Sequence, residues 1–435
     1  MTRMNKRQFL KYGGTALGAG MLAGVLGPIG ARAQGAGLTV AWWGEGDQNK
    51  RTADAMQAYA KASGITIDPQ GTNFNGYWDR LATQVAGGNA PDVFQVFLAT
   101  MAEYAARGTI EPIGNYLGSV IDTSDWAPAA RDSVYFGGEQ YFVPLGLSTQ
   151  PAIIYDKTVL EGIGITELKP DWTLAEFREI GAEIAEALSA DGEQKFGMDD
   201  MGGSQTVLEA FVRSKGVNMF TDEGQLGFSK DDLIEWYEFW DEARAAGVAV
   251  APEARQQGGF EATGIIRGVA AFSTAASTKG LQGFQSLSQN QLEFNPWPRY
   301  AADSERIELV TPVEWMVISA TSDQKDEAAA LLNFIVNDPA SITAMGISKG
   351  APVGNALRKQ ILESGELSET ETKIYNVVEE ALPYSKPRVI YPPGSGPLVG
   401  PGTPLIALLN DQIAFKQIAI PAAVDRFFSE ADRNL

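Results

Sequence analysis

Apolar residues run unbroken over 38–43 (LTVAWW), give way to a polar cluster, and return at helical spacing over 49–62. The same beat follows with a strand at 66–69, a helix at 77–86 and a strand at 93–97. A strand covered on both faces reads as a continuous apolar run, because neither side meets water. A helix between such strands shows its buried side at every third or fourth position. Strand and helix in alternation predict a parallel sheet flanked by helices. Gly87-Gly88 closes the second helix and Pro91 leads into the next strand.

Further along, 140–148 and 151–155 (PAIIY) are apolar and extended, and we read them as a crossing between two lobes. Thr173-Leu-Ala-Glu176 is a capping box that opens an amphipathic helix with Leu174, Phe177 and Ile184 on one side. Ser229-Lys-Asp-Asp232 repeats the device before LIEWYEFW. Residues 310–319 (VTPVEWMVIS) return to strand, and the helix after Ser322 places Ala328, Leu331, Leu332 and Ile335 on one face. A chain of 435 residues exceeds the roughly 250–300 residues over which one core grows. The fold class is therefore α/β with at least two lobes, and the late strand-helix unit is free to rejoin the first.

The first 33 residues carry Arg3, Lys6, Arg7, Lys11 and Arg32 with no acid, and 12–31 is uncharged and rich in Gly, Ala and Leu. This is the layout of a signal peptide. Ala31-Arg32-Ala33 predicts cleavage before Gln34 and a soluble periplasmic protein; NKRQFLK (5–11) resembles the twin-arginine export motif with Lys6 in place of its first arginine. The whole chain has 34 basic and 54 acidic residues. Without the leader's five cations the balance is −25, which excludes nucleic acid as a partner. Cysteine and histidine are both absent. That removes disulfides, thiolate and imidazole metal sites, a lipid-anchor cysteine and any serine-histidine-acid triad, so no cofactor or metal is expected.

Four segments carry a resemblance: AGGNAPDVFQV (86–96), YFVPLGLSTQPAIIYDKTVLEGIGI (141–165) with DWTLAEF (171–177), RGVAAFSTAAS (267–277), and LLNFIVNDPASITAMGISKGAPVG (331–354). In this order they resemble the extracellular solute-binding proteins of carbohydrate ABC importers, the group that includes maltose-binding protein. The resemblance implies a two-lobed periplasmic-binding-protein fold (type II), a ligand cleft between discontinuous lobes, and hinge strands joining them. The first lobe would comprise 36–148 and 308–350, the second 151–300 and 352–435, after a signal peptide at 1–33. Implied partners are a small carbohydrate and the importer's permease subunits, met by a monomer. One departure stands out: relatives often end the RGVAAF segment in a tryptophan that stacks on sugar, whereas this chain reads Thr274-Ala-Ala-Ser277.

Ligands of open parallel sheets lie beyond the strands' carboxyl ends. A sugar ring offers an apolar face to an aromatic plane and its hydroxyls to amides. Candidate contacts are therefore Trp43, Gly44, Gln48 and Asn49 after the first strand, Asn73 and Asn75 after the second, and Gln95, Phe97 and Thr100 after the third. Trp42 alternates toward the core, Asn75 doubles as a candidate helix cap, and Asp92 is read as structural. From the crossing and second lobe come Thr149, Ser204, Gln205, Ser277, Trp297, Trp315 and Arg388. The competing reading is a secreted carbohydrate-active enzyme with an Asp/Glu pair, for which only Glu314 and Asp222-Glu223 offer themselves. A polyamine site on the same fold would need more acids beside the tryptophans than Glu45 and Asp47.

Overall fold

The computed structural model describes residues 37–435 except 45, 133–135, 257, 276–279, 307–309, 386–388 and 401–402, and leaves aside the side chains at 75, 98, 99 and 275. The expected leader, Ser277 and Arg388 lie outside the described residues. Among the described residues eight strands form two sheets: β1 (Leu38–Trp43), β2 (Ile67–Thr72), β3 (Val93–Val96), β4 (Phe142–Thr149) and β8 (Val310–Ile318) in one, ordered β2-β1-β3-β8-β4. The other holds β5 (Ala152–Asp156), β6 (Phe272–Ala275) and β7 (Leu292–Pro296) in the order β6-β5-β7. β1 runs parallel to β2 and β3, as the strand-helix alternation predicts. β8 enters antiparallel to both β3 and β4, so the sheet is mixed, a pairing no local pattern encodes.

The helices start where local chemistry satisfies their free N–H groups. Thr173 and Glu176 form the expected capping box on the helix Leu174–Leu188, and Ser229 with Asp232 does so for Lys230–Ala245. Asn73 caps the helix Phe74–Ala86 by accepting from Gly76 N–H, so that helix begins three residues before the expected Tyr77. The helix Gly46–Ser63 likewise starts ahead of the expected Asn49. Asp92 is structural: its carboxylate accepts from Thr39 N–H (2.8 Å), Thr39 Oγ1 (2.7 Å) and Ser322 Oγ (2.8 Å), joining the starts of β1 and β3 to the end of β8.

The chain passes between the sheets directly from β4 to β5 and again between β7 and β8. After 347 it pairs with β4 once more, where Leu147 and Ala351 exchange backbone hydrogen bonds of 2.6 and 2.8 Å. The segment from 352, expected in the second lobe, first bonds residues of the first: Ala127 N–H donates to the Val353 carbonyl, and Asn355 N–H and Nδ2 donate to the Asp125 carbonyl. The helix Glu369–Ala381 then reaches across, with Tyr375 and Val378 in the core beside β4 and Lys373 paired to Glu293 of β7 at 2.9 Å.

Candidate functional site

β1 and β3 finish at one rim of the first sheet. Ala41 lies opposite Phe94 and Val96 opposite Trp315, which brings Trp43, Phe97 and Trp315 to that rim. Trp43 packs into an aromatic group, with ring centroids 5.8 Å from Phe74, 5.3 Å from Tyr77 and 5.2 Å from Trp78. Trp315 meets Phe97 and Phe142 edge-on at 6.5 and 6.2 Å. Trp42 faces the opposite side and is fully buried there, as the alternation predicts.

The turn after Trp43 is held from three directions. Gly44 N–H donates to the Thr72 carbonyl at 2.9 Å. Asn49 Nδ2 donates to the Gly44 carbonyl at 2.6 Å, and Lys349 Nζ donates to the Trp43 carbonyl at 3.1 Å. A β-carbon at Gly44 would stand 3.2 Å from Asn49, tighter than ordinary contact, so the close approach of the helix start favours glycine. Gln48 Nε2 donates to the Ser348 carbonyl at 2.9 Å. Gln95 is fully buried: its amide donates to Glu314, its Oε1 accepts from Lys349 at 3.2 Å, and its carbonyl accepts from the Tyr77 hydroxyl at 2.6 Å. Three amides chosen as sugar donors thus have partners inside the protein, where they hold the turn and a buried ion pair. Burial pulls the Lys349 ammonium down to about 7 and pushes the Tyr77 hydroxyl well up.

Thr100 Oγ1 donates to the Phe97 carbonyl at 2.9 Å and fixes the turn into the next helix. Asn73 is exposed at its cap position, and Asn75 lies in the helix Phe74–Ala86. In the second lobe Ser204 caps the helix Gln205–Ser214. Gln205 Nε2 lies 3.4 Å from the Tyr391 hydroxyl, while its Oε1 is buried without a hydrogen-bond partner among the described residues. Trp297 is buried beside Phe177, 6.1 Å between centroids. The indole N–H groups of Trp78, Trp297 and Trp315 are also buried and without partners there. Beside Ser204 opens a cavity of about 410 Å³ with Asp199, Asp200, Arg255 and Arg267 on its walls. Burial raises the Asp199 carboxyl against hydrogen bonds from Ser273 and Gly264. Thr149 lines a separate cavity of about 350 Å³ at the crossing, with Pro151, Asn295, Arg306, Glu380 and Tyr384.

The structure therefore gathers Trp43, Gly44, Gln48, Asn49, Asn73, Gln95, Phe97, Thr100 and Trp315 near one rim, sets Thr149 at the crossing, and carries Ser204, Gln205 and Trp297 in the second lobe. It adds Phe74, Tyr77 and Trp78, which the sequence shows as an aromatic cluster, and Lys349, which nothing in its local pattern marks. Among the described residues no three His, Cys, Asp or Glu side chains group as a metal site, and no helix is long and apolar enough to cross a membrane.

Residues 45–342 match the family of bacterial extracellular solute-binding proteins, and the chain belongs to that family. It is 28% identical over 95 residues, 22% of this chain, to the diacetylchitobiose-binding protein DasA of Streptomyces coelicolor. It is 25% identical over 161 residues, 37% of this chain, to a maltotriose-binding protein of Pyrococcus abyssi. Those alignments span 22% and 32% of the curated relatives' own length. A periplasmic solute-binding protein of Pectobacterium atrosepticum superposes with a TM-score of 0.77 at 20% identity, covering 92% of this chain and 98% of its own. The fold is thus the two-lobed one of these proteins.

Proposed function

We propose that the protein is the substrate-binding component of an ABC importer, which captures a sugar or related polyol or glycoside between its lobes and hands it to a membrane permease without altering it. Export with cleavage after Ala33 and action as a monomer in the periplasm belong to the same reading. The observation that carries it is the rim itself. An aromatic group of Trp43, Phe74, Tyr77 and Trp78 stands at the carboxyl ends of parallel strands, with the unspent indole N–H of Trp78 and Trp315 beside it. Apolar planes next to unspent hydrogen-bonding groups suit a sugar, which carries both surfaces on one ring. We place the contacts on Trp43, Gly44, Asn73, Asn75, Phe97, Thr100 and Trp315 of the first lobe and on Thr149, Ser204, Gln205, Ser277, Trp297 and Arg388 across the cleft, with Gln48, Asn49 and Gln95 supporting the rim. The sugar-binding names of the two curated relatives agree with this chemistry, as does the absence of histidine for general catalysis. A thermal-shift screen of residues 34–435 against a carbohydrate library tests it. A ligand at about a hundred times its dissociation constant adds about 2.7 kcal/mol of stability. A screen with no shift for any carbohydrate and a clear one for a polyamine would move the assignment.

A further inference from the structure

The crossing after 347 carries a group that contact with a sugar does not use. Lys349, 1% exposed, reaches beneath the rim of the first sheet. Its Nζ donates to the Trp43 carbonyl at 3.1 Å and to Gln95 Oε1 at 3.2 Å, and lies 3.5 Å from the Glu314 carboxylate. The ammonium therefore ties β1, β3 and β8 together at one point. Glu314, which also accepts from the Gln95 amide, has φ of +58°, a left-handed conformation that a residue with a β-carbon keeps only where its surroundings over-determine it. On the other side of Lys349 the backbone is fixed as well. Gly350 has φ of +99°, and Ala351 is bonded twice to Leu147 of β4. Root and tip of Lys349 are thus both held by the first sheet, the root through β4 and the tip on the Trp43–Gly44 peptide.

We propose that Lys349 is a positioning residue for the cleft: it sets the Trp43–Gly44 peptide, and with it the presentation of the Trp43 indole. The inference rests on the carbohydrate reading for the use made of Trp43, whereas the coupling itself exists without ligand. A buried pair that served only the fold would change the melting temperature and leave the surroundings of Trp43 alone.

Proton loss from Lys349 removes the charge from all three contacts at once, so the coupling has its own pH signature. Of the groups that face it, the Glu314 carboxyl of β8 lies 3.5 Å away, and the Tyr77 hydroxyl, bonded to the Gln95 carbonyl, is kept neutral by burial. β1, β3 and β4 contain no ionisable side chain. Asp47 and Arg51 of the helix Gly46–Ser63 pair with each other at 2.5 Å, and Arg51 with Glu371 borders Gly346 on the outer side of the crossing. The chain has no histidine and burial brings Lys349 to about 7, so Lys349 is the expected source of a titration at Trp43 near neutral pH, and the Lys349 variants separate it from the Glu314 carboxyl.

The test uses the full chain without ligand, labelled with 5-fluorotryptophan and followed by fluorine NMR, the Trp43 resonance being assigned with Trp43→Phe. In the wild type that resonance should move with a midpoint near pH 7; in Lys349→Met and Lys349→Gln it should stay at its high-pH position throughout. Glu314→Gly, which relieves the positive φ and removes the carboxylate, should shift the midpoint to lower pH and keeps the test decisive if Lys349→Met fails to fold. A Trp43 resonance that is flat through neutrality in the folded wild type, or that titrates unchanged in the Lys349 variants, overturns the proposal. So does a Glu314→Gly midpoint that has not moved. Because no carbohydrate is present, failure here is separable from failure of the thermal-shift screen.

Discussion

Replacing Trp43 by alanine should damage the fold and the cleft together, and the structure sets the size of each effect. The indole is 8% exposed and touches three aromatic neighbours at 5.2 to 5.8 Å. Those neighbours lie on the helix Phe74–Ala86, whose own contacts limit how far it can collapse into the space. Truncating a buried Trp to Ala costs about 3 to 5 kcal/mol, part transfer and part cavity. The aromatic pairs, worth about 0.5 to 1.5 kcal/mol each, are contained in that figure. Urea unfolding with an unchanged m-value reads it as a lowered midpoint. Binding of a carbohydrate found by thermal shift should fall by about 2 to 4 kcal/mol in calorimetry of the folded variant, since a stacked aromatic at the centre of a site behaves as a hot spot. Trp43→Phe, which keeps an aromatic face, should recover part of both losses. A Trp43→Ala protein within about 1 kcal/mol of wild type would refute the packing argument. Wild-type affinity in a folded but destabilised variant would refute the stacking argument and leave Trp43 as core alone.

Two further substitutions test the parts beneath the cleft. Asp92→Ala removes the carboxylate that accepts from the Thr39 N–H, the Thr39 hydroxyl and the Ser322 hydroxyl, while both hydroxyls still accept, from the residue 92 N–H and the Gln324 N–H; at about 1 to 3 kcal/mol for a buried polar group left unsatisfied, a loss of a few kcal/mol in urea unfolding is expected, and a change of a few tenths would contradict the structural role. Burial pulls the Lys349 ammonium down from its ordinary 10.5 to about 7. The unfolded chain therefore binds the proton more strongly, so burial of the charge costs stability in full below pH 7 and the cost fades as pH rises toward 10.5. Taken as wild type minus Lys349→Met, stability should climb by about 2 kcal/mol between pH 7 and 9, and a flat difference would show that Glu314 holds the ammonium charged.

Much of the frame was legible because it is locally encoded. β1, β4 and β8 read as continuous apolar runs because both of their faces are covered. The capping boxes at Thr173 and Ser229 announce themselves within four residues. The place of the candidate site was legible for the same reason, since strand ends and helix starts mark it. What each side chain does there was not. Gln48 finds its partner 300 residues away at Ser348, and Gln95 and Lys349 meet only because β8 enters between β3 and β4. A long-range partner leaves no trace in periodicity, so amides that looked available to a sugar hold backbone or, at Gln95, a buried ion pair. The starts of the helices Gly46–Ser63 and Phe74–Ala86 were misjudged because their first turns are polar or capped by a residue outside the apolar pattern.

Capture by closure of two lobes can be measured by small-angle scattering of residues 34–435 with and without the carbohydrate that gives the largest thermal shift. A ligand that binds both lobes favours the closed form by its differential affinity for the two states. The radius of gyration should fall on saturation, with the sugar recovered intact afterwards. An unchanged scattering curve at full occupancy, or conversion of the sugar during the measurement, would contradict capture by closure.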